Sequence, residues 1–169
     1  METLLPQELL DAARGVVEAN RAIGRRIALA ESCTGGLVAA AITEIPGSSD
    51  VLEASIVTYS NEAKLALLRV NLDVLETFGA VSIATAWSMA QGAIEATGAD
   101  VAVAITGIAG PGGGSDRKPV GTVVFARAEK GGDPADVFAD KREYGDVGRG
   151  AIRLQAALCA LELLMPGTP

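Results

Sequence analysis

The sequence predicts an α/β fold: a single three-layer α/β/α domain with a mixed β-sheet between two helical layers. Three observations predict it. The 169 residues suffice to bury a full core in one domain without staples. The composition is 49% apolar but only 4% aromatic, which suits small, closely packed helices over a sheet. Short apolar strand-like runs alternate with helical patterns through the first two thirds of the chain and then follow one another directly. Alternation gives parallel strands and direct succession gives antiparallel ones, hence a mixed sheet.

The elements follow in order. Residues 7–23 repeat apolar side chains at helical spacing, and Pro6 stands where a helix can start. IALAE (27–31) is a short buried strand, and Ser32-Cys33-Thr34-Gly35-Gly36 turns into a small-residue helix over 37–45 that Pro46-Gly47 closes. ASIVTYS (54–60) reads as a strand, with Asn61 capping a helix over 62–68. Residues 72–79 form a short helix ending at Gly79, and Ser82 caps a longer one over 83–97 that Gly98 closes. Strands 101–106 and 120–128 flank a glycine-rich loop, a Gly131-Gly132-Asp133-Pro134 turn leads to strand 136–144, and a last helix runs over 147–164. No repeat, low-complexity tract or linker divides residues 1–169, so the expectation is one domain.

Composition also narrows function. A net charge of −7 argues against a nucleic-acid groove. No apolar run reaches the ~18–20 residues that span a bilayer, and the acidic start is unlike a signal peptide. Cys33 and Cys159 suit neither a metal spacing nor a disulfide framework, so a reducing, cytoplasmic setting is expected. The chain has no histidine, which removes Ser-His-Asp triads, Cys-His pairs and His-ligated metals. Acid–base work falls to lysine, carboxylate, tyrosine or water.

Four segments depart from plain packing logic. In TGIAGPGGG (106–114) five glycines follow Thr106, more than a turn needs. Such a loop lets a ligand approach main-chain N–H groups, as anion sites do. It is not a dinucleotide fingerprint, because GIAGPG precedes a strand rather than a helix. In ESCTGG (31–36) the Ser32 and Thr34 hydroxyls and the Gly35 N–H stand at a helix N-terminus. They either cap that helix or receive a phosphate or carboxylate. Cys33 there has no histidine to activate it as a nucleophile. In TYSNEAK (58–64), Lys64 near a helix start is against the dipole preference. Burial would lower its pKa and make a base that activates a serine. PGSS (46–49) is on its own a helix stop and turn. Arg117, Lys118, Arg149 and Arg153 would add local positive charge for an anionic ligand.

Together, AESCTGG (30–36), PGSS (46–49), TYSNEAK (58–64), GAVS (79–82), TGIAGPGGG (106–114) and KPVGTV (118–123) resemble the CinA C-terminal domain family of nicotinamide-nucleotide amidohydrolases. The resemblance runs along essentially the whole chain. It lacks the larger N-terminal domain of many relatives, so a stand-alone form is expected. It implies hydrolysis of the carboxamide of nicotinamide mononucleotide, pyridine-nucleotide recycling, no cofactor or metal, and homodimers. It implies Ser49 as nucleophile and Lys64 as its base, with Ser32 the rival nucleophile. Tyr59, Ser32 and Thr106 would surround the reacting amide. Thr34, Gly35, Gly107, Gly110 and Gly112 would help hold a nucleotide substrate, and Arg149 would meet it. The family's GDR-plus-acid segment is here Gly145-Asp146-Val147-Gly148-Arg149-Gly150, which leaves Arg153 as the alternative to Arg149. A non-catalytic nucleotide-binding module and hydrolysis of a related amide are the other readings.

Overall fold

Eleven regular elements follow the order that periodicity predicts, in a computed structural model that describes residues 2–168. They are α1 (Gln7–Ala22), β1 (Ile27–Glu31), α2 (Leu37–Thr43), β2 (Leu52–Val57), α3 (Asn61–Leu68), α4 (Leu72–Phe78), α5 (Ile83–Thr97), β3 (Val101–Gly107), β4 (Thr122–Glu129), β5 (Phe138–Glu143) and α6 (Arg149–Leu163). A single 3-10 turn, Ser48–Asp50, precedes β2.

The strands form one sheet in the order β2-β1-β3-β4-β5. β1 is parallel to both β2 and β3, and β4 and β5 add antiparallel. The first three strands therefore end on one edge of the sheet, where an open α/β sheet places its ligands.

The two faces of the sheet are sorted by side-chain size. Successive side chains of a strand point to opposite faces. Ile27, Leu29, Val101, Val103, Ile105, Val123 and Phe125 pack with residues of α1, α2 and α6. Ala28, Ala30, Ala102, Ala104, Ala126 and Ala128 meet Ala86, Met89, Ala90 and Ala93 of α5. The alanine face lets α5 lie close to the sheet. Gly92 then lets α3 lie close to α5: a Cβ there would stand 2.0 Å from the Leu68 carbonyl oxygen. This tight stack carries Lys64, on α3, inward.

Element ends shift by up to three residues from expectation, and two of the differences bear on the site. The second strand is Leu52–Val57 rather than 54–60, because after the Thr58 N–H meets the Glu31 carbonyl the chain turns into α3. Ser60, not Asn61, caps α3: its hydroxyl accepts the Ala63 N–H. No helix among the described residues is long and apolar enough to cross a membrane.

Candidate active site

A cleft of about 280 Å³ opens at the carboxyl ends of β1, β2 and β3, lined by side chains from the segments after each strand, by the glycine loop and by the start of α6. Ser32, Tyr59, Lys64, Thr106, Gly107, Gly110, Gly112 and Arg149 all line it. Arg149 contributes positive charge, and no carboxylate lines the wall. In a chain of net charge −7 this is a local reversal that favours an anionic ligand.

Ser32 continues the ladder one residue beyond β1, its N–H bonded to the Ile105 carbonyl at 2.9 Å. The sheet thereby fixes the serine. Its Oγ accepts a hydrogen bond from Lys64 Nζ at 3.0 Å. Lys64 is 1% exposed and also donates to the Thr58 carbonyl at 2.6 Å. Burial pulls the Lys64 pKa below the ordinary lysine value. The Cys33 thiol itself is pushed up to about 11 by burial, so it stays protonated at neutral pH.

Ser49 does not join this group. It lies in the 3-10 turn before β2, and its carbonyl accepts from Arg26 Nη1 at the start of β1. Because β1 and β2 are parallel, α2 must carry the chain back across the sheet. The segment after α2 therefore emerges at the amino edge. Ser49 and Ser32 are separated by about the length of β1, roughly 16 Å for five residues. The Ser49–Lys64 pair expected from the sequence is thus not formed within the chain, and the hydroxyl beside Lys64 is that of Ser32.

Thr34 and Gly35 also fall outside the cleft wall. Thr34 is buried and its hydroxyl donates to Glu31 Oε1 at 2.8 Å. The anion at the α2 N-terminus is the chain's own: Glu31 accepts the Val38 and Ala39 N–H groups and the Ser55 hydroxyl. No free helix terminus is left there for a phosphate. The two arginines of α6 divide their work. Arg149 donates to the Tyr59 hydroxyl at 2.6 Å and to the Gly110 carbonyl at 2.7 Å, tying the mouth of the cleft to the glycine loop. Arg153, one turn on, instead bonds the carbonyls of Cys33 and Thr34. Lys118 is used on the Phe78 carbonyl at the end of α4.

At the third strand end, Thr106 is 1% exposed and donates to the Ala80 carbonyl at 2.8 Å. Gly107 has no room for a side chain: a Cβ would come within 2.8 Å of Val123 and 3.1 Å of Cys33 Sγ. Gly110 takes φ +76°, and a Cβ there would meet Val120 at 2.5 Å. Gly112 borders open space.

Sequence reasoning missed Asn61 as a wall residue. Its place one turn before Lys64 on α3 was the available signal, and the cap reading concealed it. It also missed Glu31 as the helix cap, because the carboxylate acts from the strand that precedes the turn. A second hollow, of about 390 Å³, lies beside α5 and β4 and includes Trp87, Glu95, Glu129 and Asp136, but it holds no serine or lysine.

Proteins of known sequence and structure match this chain over most of its length. An Escherichia coli K12 protein named nicotinamide-nucleotide amidohydrolase PncC is 47% identical over 157 residues, 93% of either chain. A putative competence-damage inducible protein from Symbiobacterium thermophilum is 48% identical over 164 residues, and the chain spans 38% of that protein's length. The crystal structure of competence/damage inducible protein CihA from Agrobacterium tumefaciens superposes with a TM-score of 0.91 at 47% identity, covering 96% of this chain and 97% of that one. Residues 10–167 match the model of one family, described as the CinA C-terminal domain. With its cleft at the ends of the three parallel strands and these matches along nearly its whole length, the chain belongs to the CinA C-terminal domain family.

Proposed function

We propose that this chain hydrolyses the carboxamide of nicotinamide mononucleotide to nicotinic acid mononucleotide and ammonia, in pyridine-nucleotide recycling. Ser32 is the nucleophile and Lys64 its base. The observation that carries the reading is the 3.0 Å contact between Lys64 Nζ and Ser32 Oγ in a cleft free of carboxylates. Relatives named for this activity and aligned over nearly their whole length supply the substrate.

The chemistry follows from the geometry. Burial favours the neutral amine of Lys64. The Thr58 carbonyl engages one of its N–H bonds, which leaves the lone pair for the Ser32 hydroxyl. As Lys64 takes the proton, Ser32 Oγ attacks the carboxamide carbon and the C=O pair moves to oxygen. Collapse of that intermediate breaks the C–N bond, and the Lys64 ammonium returns the proton to the departing nitrogen, releasing ammonia. Water then attacks the acyl-serine with Lys64 again as base, which frees the carboxylate and restores Ser32. Tyr59 and Thr106 flank the reacting amide, and Asn61 stands on the same wall. Arg149 and the Gly110–Gly113 main chain hold the nucleotide's anionic end.

The protein acts in the cytoplasm as a homodimer, a reading that rests on the family. Exposed apolar side chains such as Val57, Leu67 and Ile83 are available to a second copy.

Ammonia release from nicotinamide mononucleotide by Ser32→Ala and Ser49→Ala decides the assignment. The first is expected to lose turnover and the second to keep it. The reverse result overturns the proposed nucleophile. A folded wild-type protein that binds the nucleotide without releasing ammonia is a binding module instead.

A further inference from the structure

We propose that Arg153 and Glu31 are positioning residues that clamp the Ser32–Thr34 turn, so that the Cys33 N–H meets the oxyanion that forms on Ser32. The proposal rests on Ser32 being the nucleophile.

The turn is held from two elements. Arg153 reaches from α6 across about 120 residues of sequence to the Cys33 carbonyl at 3.1 Å and the Thr34 carbonyl at 2.9 Å. Glu31, fully buried at the end of β1, accepts the Thr34 hydroxyl at 2.8 Å while bound to the first turn of α2 and to Ser55. Arg153 thereby fixes Cys33, whose N–H directly follows Ser32, from the far side of the turn.

The remaining hydrogen-bonding capacity of the turn is what makes the clamp chemical. Within it, the Gly35 N–H is used on the Ser32 carbonyl. The Cys33 N–H has no hydrogen-bond partner among the described residues. It is the donor that follows Ser32 in the chain, and Cys33 lines the cleft beside Ser32. Backbone donors next to a nucleophile, held rigid before the reaction, are what a developing oxyanion requires. Arg153 pairs with no carboxylate among the described residues, so its hydrogen-bonding capacity goes to the two carbonyls of the turn.

The test is steady-state ammonia release from nicotinamide mononucleotide by Arg153→Ala and Arg153→Lys, with Ser32→Ala measured alongside. Loosening a catalytic turn by about 1 Å costs on the order of 100-fold. Arg153→Ala is therefore expected to lower kcat by roughly 10–100-fold with KM little changed, Arg153→Lys by less. Low concentrations of added guanidinium should restore part of the Arg153→Ala turnover, which a purely structural loss would not allow. Unchanged kcat in the folded variant, or a loss seen only in KM, overturns the clamp. Should Arg153→Ala fail to fold, Thr34→Val against Thr34→Ser decides it: the valine variant loses kcat and the serine variant keeps it. Equal kcat in those two refutes the clamp. If Ser32→Ala still turns over, the nucleophile reading has failed. If Ser32→Ala is dead and Arg153→Ala normal, only the clamp has.

Discussion

Replacing Gly92 by alanine should disable the enzyme without unfolding it. The alanine Cβ would lie 2.0 Å from the Leu68 oxygen, 2.8 Å from its carbonyl carbon and 3.1 Å from its Cα, all backbone atoms in the last turn of α3. Ordinary contact begins roughly 1.4 Å farther out than the first of these. α5 is seated on the alanine face of the sheet, so the displacement falls on α3. Lys64 stands one turn before Leu68 and moves with it, and its 3.0 Å contact with Ser32 is stretched past hydrogen-bonding range. A misplacement near 1 Å costs on the order of 100-fold in rate. Overpacking costs about 1–3 kcal/mol, of which alanine's better helix propensity recovers about 1 kcal/mol. The net loss of stability is therefore small, about 0–2 kcal/mol. Ammonia release and a thermal melt on the same preparation separate the two effects. A Gly92→Ala protein that melts cooperatively and keeps wild-type kcat would refute the reasoning.

Three further outcomes follow from the basic residues of the cleft. With neutral Lys64 as the proposed base and burial lowering its pKa, kcat/KM should rise with pH through that lowered value and level off before the ordinary 10.5. The unfolded chain binds the proton up to 10.5 while the native chain has released it, so stability rises with pH across the same interval. Denaturant titrations of Lys64→Met against wild type should show that slope disappear; an unchanged slope removes Lys64 from the account. Arg149→Met should raise KM for the mononucleotide by roughly 10–100-fold, the loss of one or two charge-assisted hydrogen bonds. The corresponding nucleoside, without its phosphate, should be nearly indifferent, and equal effects on both would place Arg149 away from the phosphate.

The glycine loop and TYSNEAK were legible as site segments because their residue types are costly anywhere else. Five glycines forgo packing, and a lysine sits poorly in a first helical turn. The Ser32–Lys64 pair was not legible, since two serines, Ser32 and Ser49, lay within plausible reach of one lysine in the chain. Topology could have separated them: a parallel β-α-β unit returns its second loop to the amino edge, which excludes PGSS from the edge that holds Ser32. Glu31 read as the last residue of a strand, and nothing in one dimension reveals that its carboxylate folds back onto the helix that follows.

By itself, then, the sequence determined the order of the eleven elements, the mixed sheet and the absence of histidine chemistry. Hydrophobic period and turn residues act over a few positions and survive without knowledge of the whole. Only the tertiary structure decided which serine meets Lys64, which arginine of α6 faces the cleft and which holds the turn, and that Glu31 already occupies the helix terminus. Each of these is a contact within about 3 Å between segments brought together by strand direction and helix packing, and the distances that decide it are shorter than any periodicity records.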